Sequence, residues 1–345
     1  MERLRYLGVA DEATYNPTVP PEATLHVDIA SATLDAPTDP DLVYEGGLGR
    51  SARTRRPGFY APIGNLVYAF DIDSIGEFLR WALGGYVFTA DDPEIGLNTH
   101  EFYGSNESLL PSFTARLGKD ELADATNFEH VFTGCVVGQL AIAASDNLVQ
   151  VTVDVQAARD YRDDIKAIAD LLLPSSYPLA FHEVTASLDS VDRSALVKSV
   201  DFAINNNAAV ADGRSIGERF PRRIPFNERS TTFSLTLFWE SLAELQQFWG
   251  DIDGVALTGQ LDIPVIFTFN AGDDAGTWAA DKTMEVTLPR SWYTQSQQQA
   301  SGRSELVQTV AGRALSGDIA LADAITIVDA EVYVKLINTQ TDLSV

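Results

Sequence analysis

The sequence predicts a mainly β chain made of two tandem β-sandwich or barrel domains, each with one flanking α-helix. Three observations predict it. Short runs of alternating or β-branched residues recur between glycine, proline and aspartate. Two helix-start signatures, Ser74-Ile75-Gly76-Glu77 and Ser241-Leu242-Ala243-Glu244, are each followed by large apolar residues at helical spacing. These two signatures lie 167 residues apart, from 74 to 241, and the same offset carries Arg55-Arg56 onto Arg222-Arg223. A loop with paired arginines, a strand, a capping box and a helix therefore occur twice in one order, which is the mark of an internal repeat.

Along the chain, residues 1–23 read as an extended N-terminal arm, because Pro17, Pro20 and Pro21 deny that polar stretch a regular helix or a central strand. From Thr24, Leu25, Val27 and Ile29 alternate with His26, Asp28 and Ala30, the pattern of a half-buried strand. Its later counterpart is Val200-Asp201-Phe202-Ala203-Ile204, which runs into Asn205-Asn206-Asn207, a turn that asparagine tolerates. Strands Leu66 to Phe70 and Phe233 to Leu237 precede the two helices. In the helices, Ile75, Phe78 and Trp81, and then Leu242, Leu245 and Phe248, face a core, with Trp249 beside them. Ser74 with Glu77, and Ser241 with Glu244, are assigned as helix caps.

Further strands are expected over Ser112 to Leu117, Val131 to Ala143 and Leu148 to Val155, then over Val265 to Phe269, Thr283 to Leu288 and Leu306 to Val310. Ile325, Ile327, Val332, Val334 and Leu336 close the second sheet. Between the copies, Tyr161, Ile165, Ile168, Ala169 and Leu172 stand at helical spacing, so a connector helix is expected over 160–172, ended by Pro174. The domains thus read as 24–173, which includes the connector, and 174–345.

Composition bounds the function. The chain has 345 residues, 45% of them hydrophobic, enough for two packed units. No run of about 18 apolar residues could cross a membrane as a helix, and Met1-Glu2-Arg3-Leu4-Arg5 does not open a signal peptide, so a soluble, unexported chain is expected. The single cysteine, Cys135, sits among valines and reads as a small buried residue. The formal charge is −25, reached with lysine confined to Lys119, Lys166, Lys198, Lys282 and Lys335 while aspartate is spread throughout. That pattern resembles proteins of extremely salt-adapted archaea, whose acidic surfaces stay hydrated while concentrated cations screen their self-repulsion.

The catalytic inventory is thin. His26, His100, His130 and His182 have no second ligand at metal spacing, so they read as structural or solvated. Asp91-Asp92, Asp163-Asp164 and Asp273-Asp274 are expected by chance in so acidic a chain, and Gly272 to Gly276 reads as a polar hairpin tip before a calcium loop. No dinucleotide fingerprint, phosphate loop or nucleophile elbow is present, and no metal or cofactor is expected. The one basic feature is Arg50, Arg53, Arg55 and Arg56, echoed by Arg214, Arg219, Arg222 and Arg223. Nucleic-acid binding would have to overcome a strongly negative field, whereas arginine forks pair well with carboxylates of a neighbouring copy. The loops Arg50 to Gly58 and Gly217 to Arg229 are therefore expected at subunit or ring contacts.

The order of these features resembles the major tail tube proteins of tailed viruses. The resemblance is carried by Arg55-Arg56-Pro57-Gly58, Gly64-Asn65-Leu66-Val67-Tyr68, the helix closed by Leu83-Gly84, Leu110-Pro111-Ser112-Phe113-Thr114, Phe132-Thr133-Gly134-Cys135, Val151-Thr152-Val153-Asp154 and Val200 to Asn207. Gln295 to Arg303 has no counterpart in that pattern. The resemblance implies a non-enzymatic virion protein of the two-domain type that polymerises as stacked rings into a conduit for viral DNA. It also implies self-association as trimers with pseudo-sixfold symmetry rather than hexamers, contacts with tail terminator and distal tail proteins, DNA passing without specific binding, and no membrane partner. With the acidic signature, it points to a virus of halophilic archaea, assembled in the host cytoplasm. The competing readings are a halophilic β-sandwich enzyme or carbohydrate-binding protein, which leaves the repeat unexplained, and another tail or baseplate component.

Overall fold

Alternating burial along many runs and β-branched composition favour strands, and the chain is mainly β. A computed structural model describes residues 3–38, 41–44, 54–90, 96–120, 127–174, 176–256, 258–271, 282–299, 306–321 and 326–344. In the N-terminal half the elements are β1 (Arg3–Asp11), β2 (Leu25–Val27), β3 (Ile29–Ala32), β4 (Asp41–Tyr44), β5 (Thr54–Pro57), β6 (Ile63–Ala69), α1 (Ile75–Leu83), β7 (Gly84–Ala90), β8 (Asn98–Gly104), β9 (Phe113–Asp120), β10 (Phe128–Ala144), β11 (Gln150–Gln156) and β12 (Arg159–Asp163). The C-terminal half carries β13 (Val184–Leu188), β14 (Val191–Asp192), β15 (Val197–Asn205), β16 (Ser230–Phe238), α2 (Ala243–Trp249), β17 (Ile263–Ala271), β18 (Lys282–Gln299), β19 (Val307–Leu315), β20 (Gly317–Ala320), β21 (Ile327–Ala330) and β22 (Tyr333–Asn338).

The pairings, all antiparallel, follow one order in both halves. In the first, β2, β1, β9, β10, β11, β6 and β3 lie side by side, and in the second β14, β13, β17, β18, β19, β16 and β15 do. The matching extends to irregularities. The β10–β11 ladder shifts between Val137 and Gln139, and the β18–β19 ladder between Tyr293 and Gln295. Likewise β3 shifts against β6 between Ile29 and Ser31, and β15 against β16 between Val197 and Ser199. The Gln295–Gln299 stretch, without a counterpart in the sequence pattern, thus lies in the ladder as Gln139–Ala143 does.

The halves join where β10 pairs with β15, Gln139 opposite Asn205 through Ala144 opposite Val200. One barrel-like network results, and one apolar core runs through both halves, with Phe70 stacked on Phe269 at 5.2 Å. β22 joins the second sheet on β18, as expected, and also continues it onto β8 of the first half. α1 ends at Gly84, whose φ of 78° is the left-handed conformation that glycine adopts without strain.

Two expectations are corrected. The 1–23 arm is not wholly extended and peripheral: Arg3–Asp11 is a strand between β2 and β9, and Tyr6, Leu7, Val9 and Ala10 are buried. The prolines fall after it, where the Pro21 carbonyl accepts from Arg116 Nε at 2.9 Å. The connector helix 160–172 is absent, replaced by β12 paired with Glu129–Thr133 of β10 and a single 3-10 turn at Ile168–Asp170. Tertiary partners override the helical spacing: Asp160 accepts from Tyr60 Oη at 2.8 Å and meets His130 Nε2 at 2.9 Å, while Asp163 reaches the buried Arg116 at 3.0 Å.

Candidate assembly surfaces

A single run of eight strands, β3-β6-β11-β10-β15-β16-β19-β18, crosses the whole molecule, four strands from each half. Alternation gives it two unlike faces. One buries Leu66, Tyr68, Val151, Val153, Leu140, Ile142, Phe202, Phe233, Leu235 and Val310 in the core. The other presents Asn65, Thr152, Asp154, Gln139, Ala141, Ala203, Asp201, Ser234, Thr232 and Thr309, all partly or fully exposed. This second face is polar and mildly acidic, with a concavity of about 500 Å³ lined by Gln139, Asp201, Thr232 and Arg313. Partial burial pushes the carboxyls of Asp154 and Asp201 above the usual range. At its two ends, the outer edges of β3 and of the Gln295–Gln299 end of β18 have no strand partner among the described residues.

The arginine loops are brought together, although within one chain. Arg55 pairs with Asp41 across the β4–β5 hairpin at 3.2 Å and is largely exposed, as is Arg56. Arg219 crosses from the other half: its Nε donates to the Gly58 carbonyl at 3.0 Å, its guanidinium lies 5.1 Å from the Tyr60 ring, and Asp41 is 3.7 Å away. Arg214 covers Phe59 at 4.6 Å, and Tyr60 meets Phe220 edge-on. Arg222 and Arg223 are exposed and have no ion pair among the described residues. Arg229, at the end of the same loop, turns inward to Glu331 and to the Ser105 carbonyl at 2.7 Å. Arg50 and Arg53 lie outside the described residues, as do Asp91-Asp92 and Gly272 to Gly276 with Asp273-Asp274.

Neither capping box forms. Ser74 stands at the N-cap position, but its Oγ donates to the Asp71 carbonyl at 3.1 Å and makes no cap bond. Glu77 turns toward Asp11 and Arg80, and burial followed by repulsion from Asp11 pushes its carboxyl up to about 7. In the second half Leu242, not Ser241, is the N-cap, and Ser241 Oγ makes only a long contact of 3.4 Å with the Ala243 amide. Glu244 accepts from Tyr293 Oη at 2.5 Å and meets Arg193 at 3.1 Å. Glu244 thus has interior contacts that compete with the cap, whereas Glu77 is buried with its Oε2 lacking a hydrogen-bond partner among the described residues. Phe248 is half-buried and packs against the core as expected, but Trp249 is only half-buried and Leu242 is exposed, contrary to expectation, whereas Trp81 is fully buried against Phe113 at 4.2 Å.

The histidines sit in local networks: His100 Nδ1 is 2.9 Å from Tyr86 Oη, and His26 Nδ1 accepts from the Leu172 amide at 3.0 Å. Burial pushes both below the usual imidazole range, and burial pushes the Cys135 thiol well up, so it is unreactive. Sequence reading missed the buried Arg116, held between Glu129 at 2.5 Å and Asp163. It also missed the glutamine-rich strand edge. An arginine flanked by apolar alternation in Phe113–Leu117 was the available signal for the first.

What this arrangement offers is strand edges, a polar wall and interlocking arginine–aromatic loops, which suit assembly. A family model described as phage tail tube protein matches residues 3–314. No curated protein matches the chain significantly.

Proposed function

This chain belongs to the phage tail tube protein family, a structural component of the virion tail that self-associates into a tube, and on that premise we propose that it forms stacked rings through which viral DNA is delivered. The observation that carries this reading is the eight-strand run whose two ends have no strand partner among the described residues. An exposed strand edge is an aggregation hazard unless it is paired, and closed rotational symmetry removes every such edge. The chain acts as two tail-tube repeats, β1 to β12 and β13 to β22, so three chains make a pseudo-sixfold ring, preferred over a hexamer. Each chain then contributes its eight strands to a continuous inner wall.

The polar face of those strands lines the lumen. Its small side chains and the carboxylates of Asp154 and Asp201 offer the duplex a wall that repels without gripping. Lysine scarcity and the charge of −25 fit a virus of halophilic archaea. The remaining partners are tail terminator and distal tail proteins at the tube ends, and assembly takes place in the host cytoplasm. Light scattering and electron microscopy of purified protein in molar salt test the reading. Rings or tubes are the expected result, and monomer at every protein and salt concentration would overturn it.

A further inference from the structure

The two halves of the chain already meet through a built junction, and its counterpart at the two ends of the eight-strand run has no strand partner among the described residues. The ladder shifts fix the correspondence: Gln139 of β10 stands where Gln295 of β18 stands, and Ile29 and Ser31 of β3 stand where Val197 and Ser199 of β15 stand. In the chain, Gln139–Ala143 pairs with Asp201–Asn205. Carried over by the same correspondence, Gln295–Gln299 faces Thr33–Pro37, and neither stretch has a strand partner on that side among the described residues. We propose that the outer edge of β18 pairs antiparallel with Thr33–Pro37 of a second copy, repeating the β10–β15 junction between chains; this rests on the ring assembly proposed above.

The backbone chemistry agrees along the stretch, apart from the Ala36 amide, which donates to Asp35 Oδ1 at 2.8 Å in the single chain. The Asn206 amide donates to the Gly138 carbonyl at 2.8 Å, so Gln139 and Asn205 form a non-hydrogen-bonded pair, as Ala141 and Ala203 then must by alternation. The equivalent non-bonded pairs between chains are Gln295 with Pro37 and Gln297 with Asp35. Proline thus falls where its missing N–H is not needed. The Thr33 amide donates inward to Asn65 at 2.8 Å, which aims the Leu34 amide outward toward the partner. Leu34 is buried like Phe202, its counterpart, so the same face points to the core.

A second feature of the junction repeats. Within the chain, the connection after β15 seats on the first half: Gln156 bonds Ala208 and Val210 at 3.1 and 3.3 Å, and Arg159 lies 4.3 Å over Phe220. The positions equivalent to Gln156 and Arg159 are Arg313 and Ser316, and with Phe226, Asn227 and Trp292 they line a cavity of about 520 Å³. The connection after β3, with its β4–β5 hairpin and the exposed Leu42 and Val43, is the counterpart that fills it from the second copy.

Cysteines at a non-hydrogen-bonded antiparallel pair are close enough to bridge. We expect Asp35→Cys/Gln297→Cys, assembled in molar salt and mildly oxidised, to give a non-reducing ladder of covalent oligomers. Its yield should be about tenfold above either single variant and above the register-shifted Asp35→Cys/Gln298→Cys. On the unmodified protein, hydrogen exchange should slow on assembly at the amides of Leu34, Ala36, Ser296 and Gln298. Rings by microscopy with no register-specific ladder and unchanged exchange at these amides would overturn the pairing while leaving the ring intact. Failure of the unmodified protein to form rings would overturn both.

Discussion

In the N-terminal half, α1 is enclosed: Ile75, Phe78, Leu79, Trp81 and Leu83 are buried, and the β7–β8 hairpin that follows it pairs onward with β22. In the C-terminal half α2 occupies the same place in the strand order, but the described residues of 251–262 form no strand there, and the only side chain it buries is Glu244. A cavity of about 510 Å³ opens beside it, lined by Arg193, Gln247, Ile252, Leu261 and Tyr293. The comparison teaches that the strand scaffold tolerates opposite treatments of one helix. What is shared between halves is ladder and register; what differs is the cover over the outside.

The largest expected effect separates the two helices. Trp81→Ala removes a fully buried ring stacked on Phe113 and should cost about 3–5 kcal/mol, whereas Trp249→Ala, half-exposed, should stay within about 1 kcal/mol. Denaturant unfolding in molar salt reads both, and equal losses would break the comparison.

The two glutamates sharpen it with opposite signs. Glu77 has a folded carboxyl pKa of about 7, above its unfolded value of 4.5, so the native state binds the extra proton and wild-type stability falls as pH rises between those values. Glu77→Gln should therefore gain stability over wild type through pH 4.5–7, levelling above that at up to about 3 kcal/mol. Glu244→Gln weakens the charged contacts to Arg193 and Tyr293 and should lose about 1–3 kcal/mol at pH 7. Stability against pH for both variants checks this; a gain in Glu244→Gln or none in Glu77→Gln would contradict it.

A smaller effect is expected from the exposed loops. Arg55→Glu with Arg56→Glu should leave folding within about 0.5 kcal/mol yet raise the concentration needed for assembly about tenfold, through like-charge contacts with an acidic neighbour. Sedimentation over a salt series reads this, and unchanged assembly would make the loop ordinary surface. Arg222→Glu with Arg223→Glu tests the second loop in the same way.

Much of the scaffold was legible because burial alternates with period two in Leu66–Phe70, Val151–Val155 and Phe233–Leu237. The repeat was legible from helices and arginine pairs, although the strands before the helices correspond two residues away from the 167 offset, since register rather than sequence spacing sets equivalence. Residues 160–172 misled because apolar spacing cannot anticipate the Arg116–Asp163 contact, and the caps misled because Glu244 finds Arg193 and Tyr293 while Glu77 is buried with Arg80 no nearer than 4.0 Å. The edge at Gln295–Gln299 was illegible for a deeper reason: being unpaired is a property of topology, and glutamine carries no periodic signal of it.

The most direct test of the central claim, that the junction inside the chain is copied between chains, is a reconstruction of the assembled tube by electron cryomicroscopy in molar salt. The account predicts three chains per ring, Gln297 of one chain opposite Asp35 of the next, and a chain boundary that superposes on the β10–β15 boundary. A ring in which the β18 edge faces solvent, or in which another element covers it, would contradict the account.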